Sequence, residues 1–272
     1  MAMITVNGVR LGYEMSGTGE IPLVMVHGGW ESRRNWDWVV PHLAESFRLL
    51  TYDCRGHGES EQPSGQGSIH EDVADLAALI EQLGLAPAWV AGQSSGGNIT
   101  LRLAGERPDL FRGITVHEPA TLSLIEDDPT LAPFFESFAQ THVEVVERIA
   151  SGDHAGAAEQ FIEEGLGRGV WTQLPPEFRQ MVIENASTYL DDANDPDDIT
   201  FDLDSIREFT RPTLLTQGDQ SAPIFAPVVT KLAEALPSAE VITFEGAGHI
   251  IQVEQPEAYA EAIIDFVRRH TP

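Results

Sequence analysis

Apolar residues recur along this chain in two rhythms. Short continuous runs at Ile21 to Val26, Leu49 to Asp53, Ala88 to Gln93, Gly113 to His117, Pro212 to Gln217 and Val241 to Phe244 read as strands covered on both faces. Between them, apolar residues return every three or four positions at Trp36 to Phe47, Glu71 to Leu83, Asn98 to Ala104, Ala226 to Leu236 and Pro256 to Arg269, the spacing of amphipathic helices. Residues 3 to 15 alternate instead, and the Asn7-Gly8 pair, which tolerates positive φ, makes them a hairpin. Strand alternating with helix predicts a mostly parallel, eight-stranded α/β sheet with helices on its faces. The alternation lapses from about Ala120 to Glu208, where candidate helices near 131–150, 154–166 and 176–190 precede a polar stretch at Asp191 to Asp198. The expected organisation is a core of residues 1–119 and 209–272 carrying a helical insertion at 120–208.

Composition narrows the function classes. With 272 residues, 42% hydrophobic and 22% charged, one compact unit is expected. A net charge of -27 and a pI near 4.4 oppose phosphate backbones and anionic membranes, so neither nucleic acid nor membrane is expected as a partner. Cys54 stands alone, which excludes an internal disulfide and fits a reducing compartment. The chain enters directly into the hairpin and holds no apolar run of about 18 residues, so a cytoplasmic location is expected. Self-association is left open.

The strand ends carry the chemistry. In Val90-Ala91-Gly92-Gln93-Ser94-Ser95-Gly96-Gly97 an apolar strand turns directly into a helix, with small residues on both sides of Ser94 that let strand and helix approach while the hydroxyl stands clear. His27-Gly28-Gly29-Trp30, the segment Asp53-Cys54-Arg55-Gly56-His57-Gly58-Glu59-Ser60, and Gly246-Ala247-Gly248-His249 also follow apolar strands. In this order the four motifs make the chain resemble the α/β-hydrolase superfamily with a helical cap, over nearly its full length. The resemblance implies Ser94 as nucleophile, His249 as general base, and the backbone N–H groups of Gly29 and Ser95 as the oxyanion hole. His27 and His57 are expected to pack loops, and Asp53 with Arg55 to lock one.

The orienting acid departs from the common pattern. Relatives place an aspartate in a Gly-Asp-x-Asp type turn after the penultimate strand, whereas Gly218-Asp219-Gln220-Ser221 has serine there. Glu118, at the end of the strand after the elbow, is the first candidate and Asp219 the alternative. Val116-His117-Glu118-Pro119 is similar to zearalenone lactone hydrolases, which use a Ser-His-Glu triad. The implied activity is hydrolysis of a carboxylic ester or lactone through an acyl-enzyme. A serine nucleophile argues against haloalkane dehalogenases and epoxide hydrolases, whose carboxylate forms a hydrolysable ester. C–C bond hydrolysis, perhydrolysis and cofactor-free oxygenation run on the same triad, and a ligand receptor with little turnover is the reading from another class. Phe134, Phe135, Phe138, Phe161, Trp171, Phe178 and Met181 offer an apolar lining, so a neutral, apolar small molecule is the expected partner. No cofactor is implied, and no metal-ligand spacing such as His-Glu-x-x-His occurs.

Overall fold

The computed structural model describes residues 1–271. Its eight strands are β1 (Ala2–Val6), β2 (Val9–Ser16), β3 (Ile21–Val26), β4 (Phe47–Tyr52), β5 (Ala88–Gln93), β6 (Phe111–His117), β7 (Thr213–Gly218) and β8 (Ala239–Phe244). They form one sheet in the order β1-β2-β4-β3-β5-β6-β7-β8. Only β2 runs antiparallel to its neighbours; Asn7 and Gly8, at φ 47° and 84°, turn the chain from β1 into it. The remaining pairs are parallel, as the strand and helix alternation predicts.

Successive side chains of the central strands serve opposite faces. Val24, Val26 and Val90 enter one buried cluster with the helices Ile69–Gln82, Ser95–Glu106 and Phe225–Ala235. Leu23, Met25, Trp89 and Ala91 enter another beneath Pro256–His270. Each such apolar side chain contributes about 1.5–3 kcal/mol by leaving water, so a one-residue register slip in β3 or β5 would reverse the assignments of both clusters at once. The register thereby fixes which residues emerge at the carboxyl ends of the strands.

Between β6 and β7 lie the helices Ala132–Ala150, His154–Leu166, Val170–Gln173, Pro176–Glu184 and Tyr189–Asn194. They build a third apolar cluster around Val145, Ile149, Phe178 and Met181, into which Trp30 and Ile250 project from the strand-end loops. Two helix expectations are corrected. Residues 36–47 do not form one helix but a tight turn at Arg33–Trp36 and a short helix at Val40–Leu43, where Pro41 lacks the N–H that a continuous helix would need. The run at 176–190 breaks at Asn185, whose side chain returns to the Met181 carbonyl at 2.8 Å, and the helix that follows takes in Asp191 to Asn194 of the stretch read as polar.

Candidate active site

Ser94 sits at φ 54° and ψ -121°, a strained conformation for a residue with a side chain. Such backbone strain is worth about 1–3 kcal/mol and persists only where its surroundings hold it. Here Ser94 N–H donates to the His117 carbonyl at 3.0 Å, and the Ser94 carbonyl accepts from Asn98 and Ala120, each at 3.1 Å. The turn also needs its glycines: a Cβ at Gly92 would strike the Gly96 carbonyl, and one at Gly96 would strike the carbonyls of Val26 and His27. Trp30 (φ 65°) and Glu118 (φ 41°) are the other strained non-glycine residues outside the hairpin turn, and both stand at strand ends beside Ser94.

Glu118 is fully buried. Its Oε2 accepts from His249 Nδ1 at 2.7 Å and its Oε1 from the Gly218 N–H at 2.8 Å. Burial would raise its pKa, but the hydrogen bond from His249 and the charge of that ring outweigh it, leaving the carboxyl below its usual range. His249 is stacked on Phe225, ring centres 4.2 Å apart and 12° from parallel. Its Nε2 lies 3.1 Å from Gln93 Nε2. An amide nitrogen only donates, so this contact places the ring proton on Nδ1, facing Glu118, and leaves Nε2 as the acceptor.

Ser94 and His249 line one cavity of about 240 Å³, but no hydrogen bond joins them among the described residues; Gln93 occupies the base instead. Gly29 also faces this cavity, and its N–H donates to Ser95 Oγ at 3.2 Å, so this candidate oxyanion donor has a hydroxyl partner. Ser95 opens the helix Ser95–Glu106, whose N-terminal end favours developing negative charge. Asp219 is exposed and turned elsewhere: its Oδ1 accepts from the Gly246 N–H at 2.7 Å and from Gln220 at 3.0 Å.

The residues of the strand-end loops are bonded to neighbouring segments, and Asp53 and Arg55 take separate partners. His27 Nε2 accepts from the Cys54 N–H at 3.0 Å, and Asp53 accepts from the backbone of Arg33 and Glu59 at 2.7 and 3.0 Å. Arg55 pairs with Glu71 at 2.5 Å and Asp75 at 2.8 Å. Phe134, Phe138, Phe161 and Phe178 line the cavity, whereas Phe135, Trp171 and Met181 pack elsewhere. Sequence reasoning missed Gln93, Phe225, Tyr189 and Glu31. Glu31 is a buried carboxyl on the cavity wall whose Oε2 accepts from the Gly28 N–H at 3.0 Å, and burial pushes its pKa up to about 8. A buried acid immediately after a glycine-rich strand end was the available signal.

Among the described residues one group of metal-ligating atoms converges: His117, Glu118 and His249 place theirs within 4.8 Å of one another. The 2.7 Å separation between His249 Nδ1 and Glu118 Oε2 is that of a proton held between them. Two ligands each about 2 Å from a tetrahedral metal would stand farther apart, so these residues as arranged fit a hydrogen bond better than a metal.

A serine on a strained strand-to-helix turn, at the carboxyl end of a doubly wound sheet, marks an α/β protein of the nucleophile-elbow class. Residues 21–256 match the family model described as alpha/beta hydrolase fold, and the chain belongs to that family. It is 29% identical over 258 residues to a dihydrolipoyllysine-residue acetyltransferase component of an acetoin cleaving system from Pseudomonas putida, covering 95% of this chain and 66% of that protein. The chain thus spans about two thirds of that relative's length. Among solved structures it is similar to a bromoperoxidase from Bacillus anthracis, with 26% identity, a TM-score of 0.84 and coverage of 98% and 99% of the two chains. It is also similar to a thermophilic esterase from Thermogutta terrifontis, with 26% identity, a TM-score of 0.79 and coverage of 99% and 97%. No described helix is long and apolar enough to cross a membrane.

Proposed function

We propose that the chain is a serine hydrolase that cleaves a carboxylic ester or lactone through an acyl-enzyme on Ser94. The observation that carries this reading is the buried chain of hydrogen bonds from Gln93 through His249 to Glu118, which holds the imidazole in the tautomer a general base requires, beside a strained serine in the same cavity. Likeness to an esterase of the same fold supports it.

In this mechanism the ring leaves Gln93, Nε2 takes the Ser94 proton, and Oγ bonds to the substrate carbonyl carbon. The oxyanion so formed displaces Ser95 Oγ from the Gly29 N–H and is also met by the Ser95 N–H. Collapse breaks the bond to the alcohol oxygen, which receives the proton from His249; water, deprotonated by the same ring, then returns Ser94 and the acid. Glu118 stabilises the imidazolium in both halves. Residues 120–208 act as a cap that sets acyl size through the phenylalanine wall.

Labelling with a fluorophosphonate, followed by mass spectrometry of the labelled peptide and turnover of ester and lactone panels, tests this. The expected result is a label on Ser94 and hydrolysis lost in Ser94→Ala. A label on another serine, Ser95 included, or turnover unchanged by Ser94→Ala, overturns the reading.

A further inference from the structure

Glu31 is buried on the cavity wall, and its place there has a local cause. Trp30, at φ 65°, turns the chain back sharply after Gly29, so the Glu31 side chain reaches the residue three positions before it and Oε2 accepts the Gly28 N–H at 3.0 Å. The other polar group of Gly28 is held as well. His27 Nε2 accepts from the Cys54 N–H at 3.0 Å, so the ring proton is on Nδ1 and is donated to the Gly28 carbonyl at 2.8 Å. A trans peptide is planar with its C=O and N–H opposed, so the Gly28 carbonyl held by His27 turns the Gly29 N–H the other way, to Ser95 Oγ at 3.2 Å. No side chain fits on the residue so clamped: a Cβ on Gly28 would strike Gln93 Oε1 and stand 3.2 Å from Ser94 Cβ and 3.3 Å from Glu31 Oε2.

The surroundings of Glu31 also set its charge. Among the described residues no cation pairs with it: Arg33 is held by Asp53, Arg34 reaches Glu184 at 3.9 Å, and His249 gives its Nδ1 proton to Glu118 at 2.7 Å. Of the insertion's titratable groups on the same cavity wall, His142 and Tyr189 bond to each other at 2.8 Å, while Asp192, Asp195 and Asp198 are acids that can only repel a charge on Glu31. Gln93 Oε1, buried without a partner, presents a further acceptor oxygen at Gly28. An unpaired carboxylate is unfavourable here, and burial outweighs the Gly28 N–H and the nearby Asn35 amide, raising the pKa to about 8.

We propose that Glu31 is a positioning residue of the oxyanion hole: by holding the Gly28 N–H it fixes the peptide that presents the Gly29 N–H to the oxyanion formed at Ser94. This role rests on the ester-cleaving reading and adds to it a residue that acts through the backbone. Only the uncharged acid suits it, since a carboxylate with Gly28 alone between it and the nucleophile would repel the negative charge developing there. Glutamine keeps an uncharged acceptor for Gly28; leucine keeps much of the volume and removes the acceptor.

Ester hydrolysis by the parent chain, Glu31→Gln and Glu31→Leu, followed from about pH 6 to 10, tests the role. Glu31→Leu is expected to lower kcat about tenfold or more with KM little changed, the split of an interaction made in the transition state, and Glu31→Gln to recover most of that loss. As pH rises past about 8 the parent should lose about tenfold in kcat while Glu31→Gln stays level. Equal kcat in all three proteins, or the same alkaline fall in parent and Glu31→Gln, overturns the positioning role while leaving ester cleavage standing; the second comparison does not need the leucine variant to fold. If no ester is cleaved, the rate of fluorophosphonate labelling at Ser94, whose phosphoryl oxygen enters the same hole, is compared across the same proteins and pH range with the same outcomes. Absence of any label at Ser94 overturns the function proposed above, and the amide proton shift of Gly28 then decides the contact by itself. A shift that titrates near pH 8 in the parent but not in Glu31→Gln supports it, and one that does not titrate, or titrates in both, overturns it.

Discussion

Replacing Glu118 by glutamine keeps the side chain's shape but sets its hydrogen bonds against one another. The amide oxygen can take the place of Oε1 and accept from Gly218, as the carboxylate does at 2.8 Å. The amide nitrogen then faces His249 Nδ1 across 2.7 Å, where two donors meet. The ring relieves the conflict by moving its proton to Nε2. Nε2–H in turn faces the Gln93 amide nitrogen, so Gln93 must rotate and offer its Oε1, which is buried without a partner in the parent chain. The outcome is an imidazole protonated where it should accept, with no carboxylate to stabilise its charged form. A loss of about 10³ to 10⁴ in kcat is expected, the scale of the corresponding amide substitution in a serine protease. This corresponds to about 4–5.5 kcal/mol of barrier. Folding should persist, since losing one charged hydrogen bond removes about 1.5–3 kcal/mol. Ester kinetics with circular dichroism, and ring-nitrogen NMR of His249, measure rate, fold and tautomer. An enzyme within about tenfold of the parent, or a proton still on Nδ1, refutes the reasoning.

Asp219→Asn should lower kcat by less than about tenfold, because its hydrogen bonds hold a turn; a crippled Asp219→Asn beside an active Glu118→Gln would reverse the assignment. Gln93→Met removes the donor that occupies His249 Nε2, and since a net hydrogen bond is worth about 1 kcal/mol, Ser94 labelling should quicken about fivefold; unchanged or slower labelling would show that the amide does not compete with Ser94 for the ring. Glu31 titrates at about 8 when folded against 4.5 as a free side chain, so between those values the unfolded chain binds fewer protons and stability falls as pH rises. Glu31→Gln should therefore match the parent near pH 4 and exceed its denaturation midpoint near pH 8, by up to a few kcal/mol; equal midpoints at both pH values would exclude a carboxyl that stays protonated when folded.

What was legible in the sequence is what backbone geometry demands locally. The turn that carries Ser94 was readable because Gly92 and Gly96 must flank it, and the strand-end place of Glu118 because an acid before proline closes an apolar run. Contacts between distant segments were not. Gln93 and His249 are 156 positions apart, and nothing in either neighbourhood says that the amide reaches the ring. The stacking of Phe225 on His249 was hidden likewise, because a phenylalanine at a helix start packs into a core as readily as onto a ring. The aromatic content of the insertion was visible but its sorting was not: Phe134 and Phe138 face the cavity, while Phe135, on the same helix, packs against the core beneath. Asp191 to Asp198 read only as a polar stretch, and its tertiary setting brings Asp192, Asp195 and Asp198 to the cavity wall.

The position of the proposed acid follows from the sheet itself. β6 and β7 are parallel neighbours with His117 opposite Thr216, so the residue leaving β6 emerges about one strand spacing, near 4.8 Å, from the chain leaving β7. Glu118 bridges that gap: the Glu118 N–H donates to the Thr216 carbonyl at 3.1 Å, and its Oε1 accepts from Gly218 N–H, the last residue of β7. The carboxylate therefore stands against the very strand end from which relatives project an aspartate, while its backbone belongs to the strand before. The positive φ of 41° swings it there, and the hydrogen bonds on both oxygens hold the strain in place. Asp219, relieved of the ring, bonds the N–H of Gly246 and so braces the start of the loop that carries His249. Two acids thus act on one histidine from different distances, Glu118 on its proton and Asp219 on its loop, which is why their substitutions are expected to differ by orders of magnitude in rate.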